Sequence, residues 1–104
     1  MQIIKSSLFT GDFAWQALDI AQISGGATIR LHWTDQPYIW HKNDGDEVFV
    51  VLEGHVIMHY LEGGVENQKE LKAGDICYLK EGCEHVAHPQ GAARILVIEK
   101  AGSI

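Results

Sequence analysis

The sequence predicts an all-β domain, a sandwich or a barrel. Strand-length segments of about 5 to 8 residues alternate with glycine-rich turns throughout, and no segment carries the apolar period of a long helix. Two segments, Val48 to Leu52 and Ile95 to Ile98, are apolar on both faces and need cover on both sides. One side of each would be barrel core. The other would meet a second sheet or a second subunit, so a homodimer is expected.

A chain of 104 residues is long enough for one core and too short for two, so residues 1–104 are read as a single domain. The net charge of −6 leaves no basic stripe to neutralise phosphates, which excludes a nucleic-acid partner. Apolar runs are a few residues long, far below the roughly 20 of a membrane-spanning helix. Met1 to Lys5 lacks the apolar centre of a signal peptide, so a cytoplasmic location is expected, with Cys77 and Cys83 as free thiols.

Taken in order, Gln2 to Ser6 reads as a short opening strand and Thr10-Gly11-Asp12 as a turn. Phe13 to Ile23 reads as a strand from its alternation at Phe13, Trp15 and Ala17 and its later isoleucines, although Ala14 to Leu18 could carry a helical turn. After Ser24-Gly25-Gly26, Ala27, Ile29, Leu31 and Trp33 alternate with Thr28, Arg30, His32 and Thr34 as a half-buried strand. Further strands are expected at Tyr38 to Asn43, Glu47 to Glu53 and His55 to Leu61, with Gly54 allowing a tight bend. Glu62-Gly63-Gly64 is a hairpin loop leading into Val65 to Leu71. Strands at Ile76 to Leu79, Glu84 to His88 and Arg94 to Lys100 complete the pattern.

The chemistry-bearing stretch is Trp40 to Gly54. His41 and Asn43 share a strand face, and Glu47 keeps that parity across a short Asp44-Gly45-Asp46 turn or bulge. An imidazole, an amide and a carboxylate aimed into one space can hold a divalent cation, and His85 is a further donor downstream. Phe49 and Val51 share the parity of Glu47 and should line the same pocket beside Met58 and Tyr60.

These spacings resemble the two motifs of the cupin superfamily. His41-Lys42-Asn43, three residues, Glu47, six residues and Gly54 follow G(X)5HXH(X)3,4E(X)6G, with Asp35 in place of the leading Gly and Asn43 in place of the second His. Gly74, five residues, Lys80-Glu81-Gly82, two residues and His85 follow G(X)5PXG(X)2H(X)3N, with Lys80 for the Pro and Pro89 for the Asn. The resemblance covers about half the chain. It implies a cupin-like double-stranded β-helix, a jelly-roll barrel that is usually dimeric, with His41, Asn43, Glu47 and His85 as ligands of one central metal ion.

His41, Glu47 and His85 alone make a two-histidine, one-carboxylate set that suits non-haem Fe2+. Asn43 either adds a weak amide oxygen, favouring Fe2+ or Mn2+ with Ni2+ or Zn2+ as substitutes, or marks a lineage whose pocket has lost its metal. Cys83 shares the parity of His85 and either faces the cavity or is a plain buried thiol. His32, His55 and His59 are read as solvent-facing, His88 as a rim residue at most, and Trp40 as core or interface. No phosphate loop, zinc-type cysteine pair or nucleophile elbow is present, and no catalytic residue is singled out. The expected function is a small metal-binding cupin acting on a small organic molecule as a dioxygenase. The alternatives are a non-catalytic ligand-binding module and an isomerase of sugars or keto compounds.

Overall fold

Two antiparallel sheets face each other in the computed structural model, which describes residues 1–103. The strands are β1 (Gln16–Ile23), β2 (Ala27–Thr34), β3 (His41–Lys42), β4 (Glu47–Glu53), β5 (His55–Glu62), β6 (Val65–Lys72), β7 (Ile76–Leu79), β8 (Glu84–Pro89) and β9 (Ala93–Lys100). Five of them form one sheet in the order β1-β2-β9-β4-β7, and four form the other in the order β3-β8-β5-β6. The all-β jelly-roll expectation holds, with no α-helix among the described residues. No helix there is long and apolar enough to cross a membrane.

The core fills the space between the sheets. Phe49 and Val51 of β4 and Ile95 and Val97 of β9 meet Val56 and Met58 of β5 and Ala87 of β8, all nearly inaccessible. On β4, β5 and β9 the buried residues fall at every second position, as a pleat facing one core requires, whereas on β8 His85, Val86 and Ala87 are buried in succession.

Three elements depart from expectation. Gln2 to Ser6 is not a strand; the chain makes a 3-10 turn at Ser6–Leu8 instead. Ile3, Ile4, Leu8 and Phe9 gather near Leu18, the cross-strand partner of Leu31, and Arg94 anchors the segment through the Phe9 carbonyl (2.6 Å) and Thr10 Oγ1 (2.9 Å). The predicted strand from Phe13 starts only at Gln16, because Trp15 takes a left-handed φ of 63° that ends any ladder there. Tyr38 to Asn43 contributes only the two-residue strand His41–Lys42, paired to His85 and Glu84.

The facing of β2 is also inverted. His32, expected in solvent, lines an interior cavity together with Arg30, while Leu31, only 1% exposed, lies outside the core cluster on the other face. Alternation fixes which residues share a face and leaves open which face is inside. Here the polar face turns inward.

Candidate metal centre

His41 and His85 are cross-strand partners at the end of the β3–β8 ladder, which brings their rings to a centroid distance of 4.3 Å. Glu47 opens β4 on the opposite sheet. The turns carrying these residues are stitched together. The Asn43 N–H donates to the Cys83 carbonyl (3.0 Å), and the Gly82 N–H donates to the Asn43 carbonyl (2.8 Å). Asp46 accepts from the Glu81 N–H (2.9 Å) and the Tyr78 hydroxyl (3.0 Å), and these two bonds hold its carboxyl below the usual range. Residues distant in the chain are thereby fixed against one another.

Ligand atoms of His41, Glu47 and His85 all lie within 4.8 Å of one another, the one such group of three among the described residues. Each imidazole is oriented by the carbonyl two residues before it: His41 Nδ1 lies 2.9 Å from the Ile39 oxygen and His85 Nδ1 lies 3.3 Å from the Cys83 oxygen. A carbonyl only accepts, so Nδ1 carries a proton in both rings, and Nε2 offers a lone pair whenever the ring holds no second proton. Glu47 Oε1 is buried with no hydrogen-bond partner, 3.4 Å from His85 Nε2. A buried carboxylate oxygen without a hydrogen-bond partner beside an imidazole nitrogen is unfavourable unless the imidazole takes up a second proton or a cation lies between them. The donor set and the orphaned oxygen both fit a divalent metal ion.

Asn43 has a different immediate partner. It is buried, but its side-chain amide nitrogen faces the Leu79 carbonyl at 3.4 Å and it does not line the cavity beside the three donors. Its visible work is to clamp the two turns.

That cavity has a volume of about 160 Å3. Phe49, Ala87 and Val97 form its apolar part, while Arg30, His32 and Glu99 add polar groups from the five-stranded sheet. Of the expected lining residues, Phe49 is present and Val51 is fully buried in the core. Met58, Tyr60 and Cys83 line a different hollow beside Cys77, Lys69 and Lys80. Tyr60 is the register partner of His85, so strand parity alone would put it in the same chamber. The thiols are free, and burial pushes Cys77 up to about 11, an inert state at neutral pH.

Trp15, Tyr38 and Glu99 are cavity residues that the strand reading did not single out. Trp15 packs edge-on against Tyr38 (5.1 Å), which packs edge-on against His41 (5.3 Å), so aromatic rings run from the rim to the candidate ligand. The Trp15 indole donates to the Gln36 carbonyl (2.8 Å), and the Trp15 carbonyl accepts from His32 Nδ1 (3.2 Å). Burial lowers the His32 pKa, keeping that ring neutral.

Glu99 is the register partner of Glu47 and shares its inward face. Burial first and the Glu47 charge second push its carboxyl up from 4.5 to about 7. The folded chain holds this proton where the unfolded chain has released it, so stability falls as pH rises from about 4.5 toward 7 and stays reduced above. In metal-free protein, Glu99→Gln should therefore stabilise by roughly 1–2 kcal/mol at pH 8, allowing for solvent screening at this partly buried position. The gain should vanish at pH 4, and urea unfolding at the two pH values measures it. Equal gains at both would mean that Glu99 is not strained by its charge.

A family model described as a cupin domain matches residues 26–99. The chain belongs to the cupin family. No curated protein matches it. Among solved structures, this cupin is similar to a cupin-2 domain containing protein from Shewanella frigidimarina, with a TM-score of 0.76 and 27% identity over 90% of this chain and 86% of that one. A hydroquinone 1,2-dioxygenase in complex with Fe3+ shares the fold at a TM-score of 0.76 and 17% identity, covering 88% of this cupin and 29% of the enzyme chain. Hydroxypropylphosphonic acid epoxidase from S. wedmorenis, in complex with fosfomycin, shares it at 0.69 and 14% identity, covering 80% of this cupin and 49% of the enzyme chain.

Proposed function

We propose that this cupin is a non-haem, metal-dependent dioxygenase of a small organic molecule, holding Fe2+, or Mn2+ in its place, through His41, Glu47 and His85. The observation that carries the reading is the buried, unpaired Oε1 of Glu47 beside two imidazoles whose orientation leaves Nε2 as the free donor. Two histidines and one carboxylate are the set that suits Fe2+ and keeps coordination positions open, and a bound ion would supply Lewis-acid and redox chemistry there. The fold neighbours support the class without choosing the substrate: one is a dioxygenase with iron, another an epoxidase.

The chain's own contribution is containment and orientation. Trp15 and Tyr38 wall the chamber, Phe49, Ala87 and Val97 keep part of it dry, and its volume of about 160 Å3 limits the ligand to roughly the size of one six-membered ring. Arg30 spends Nε on Asp19 (2.8 Å).

The test is anaerobic reconstitution with Fe2+ followed by O2-uptake measurements with small catechols, thiols and hydroxy acids of that size. Uptake that requires both iron and one ligand class is expected. Failure of the chelator-stripped protein to take up Fe2+ or Mn2+ would sink the reading. One further observation favours a second reading: Glu99 and Glu47 face the same chamber, as proton transfer on a keto compound or sugar would use. Solvent deuterium entering a ligand without O2 consumption would select that isomerase. Tight ligand binding without either reaction would select the non-catalytic module.

A further inference from the structure

The four-stranded sheet carries a second group of donors on its outward face, away from the cavity. His59 of β5 is the register partner of Val86, and His88 of β8 is the partner of Ile57, so the two histidines are diagonal neighbours on adjacent strands. Their parity is opposite to that of Met58 and Ala87, which are buried in the core, and places them on the other side of the sheet from His85. Their rings lie 4.2 Å apart between centroids at a tilt of 48°. His59 is largely covered, its side chain 18% exposed, and its Nδ1 lies 3.3 Å from Glu66 Oε1.

From this juxtaposition we propose that His59 and His88, supported by Glu66, form a second site for a divalent transition-metal ion of the Zn2+, Ni2+ or Cu2+ class. With its Nδ1–H on the Glu66 carboxylate, His59 keeps Nε2 free as a donor, the carboxylate–histidine arrangement that orients metal-ligating imidazoles. Neither ring nitrogen of His88 has a hydrogen-bond partner among the described residues.

Two imidazoles at this spacing select borderline ions that accept nitrogen, and they discriminate against Mg2+ and Ca2+, which require oxygen cages. Glu66 is the adaptable member. Its side chain is 56% exposed, so it can stay behind His59 or rotate to supply a third donor once an ion is present. His55, four residues before His59 on β5, has its Nε2 3.1 Å from Glu70 Oε1 without a formed hydrogen bond, and it lies too far along the strand to share an ion with His59 and His88.

The experiment is a Zn2+ titration by calorimetry of the tag-free, chelator-stripped full chain and its variants. Wild type should bind two ions per chain. His88→Ala or His59→Ala should each remove one ion, with at least a tenfold loss of affinity at that site, while His85→Ala removes the other and His55→Ala removes neither. In the His85→Ala protein, Cu2+ should broaden amide NMR signals around residues 59 and 88. Unchanged stoichiometry and affinity in both His59→Ala and His88→Ala would overturn the outer site, as would an equal loss in His55→Ala. Its failure is distinct from failure of the inner site, because each loss is assigned to its own variant. His88→Gln, which keeps the size and polarity of the position, repeats the test should the alanine variant fold poorly.

Discussion

Replacing His85 with alanine should weaken Fe2+ binding at the inner site by more than about 100-fold, beyond the 10–100-fold cost typical of losing a mere supporting partner. The measurement is metal content after anaerobic reconstitution, made in a His88→Ala background so that the inner site alone is counted. His85 is 2% exposed and its ring is held by the Cys83 carbonyl, so no solvent-side group can swing in to replace it. Its loss leaves His41 and Glu47 on facing sheets with one imidazole and one carboxylate, too few donors for a tight site. Glu47 should respond as strongly: Glu47→Gln keeps the shape but supplies no charge to offset the ion. His55→Ala, on the other side of its sheet, should bind like the parent. A His85→Ala protein that retained one tightly bound Fe2+ per chain would show that the ion sits elsewhere.

Much of this site was legible because strand parity is a local property. His41 and Glu47 are separated by one short turn, and Glu47, Phe49 and Val51 all fall on the buried face of β4 as alternation requires. His85 was placed by the spacing of a second motif, and the structure explains that spacing: Gly82, at a φ of 86°, turns the chain so that its own N–H and the Cys83 carbonyl both reach Asn43. What stayed illegible depends on partners far along the chain. Glu99 joins the chamber only because β9 lies beside β4 in a register that sets it opposite Glu47. His32 faces inward because the apolar side of β2 is taken up outside, where the N-terminal segment lies near Leu18. Tyr60 shows the limit of parity: its register partner is His85, yet it lines the neighbouring hollow, because a side chain leans along its strand as well as away from it. The break at Trp15 falls inside the Ala14 to Leu18 stretch that reads as either strand or helical turn, but no periodicity announces a left-handed tryptophan.

Gly54→Ala should cost about 3–5 kcal/mol of folding stability, a large part of the roughly 5–15 kcal/mol that holds a domain together. Two effects add at this position. Its φ of 92° is one that a side chain tolerates poorly, and a Cβ there would lie 2.5 Å from the Ala92 carbonyl oxygen and 2.9 Å from Ala93 Cα. Those are backbone atoms at the entrance to β9, which is bonded on one side to β2 and on the other to β4, so they cannot yield without disturbing two ladders. Gly63 provides the control: its φ of 58° is also left-handed, but nothing lies within 4 Å of the added Cβ, so Gly63→Ala should cost only about 1 kcal/mol. Urea unfolding of both variants separates conformational strain from collision, and equal costs would refute the collision. The consequence reaches the metal centre, because Gly54 is the single residue between β4, which starts at Glu47, and β5, which pairs with the strand of His85. Any shift that relieves the collision changes how the two sheets face each other. Folded Gly54→Ala protein should therefore hold Fe2+ at least tenfold more weakly, although no ligand has been altered.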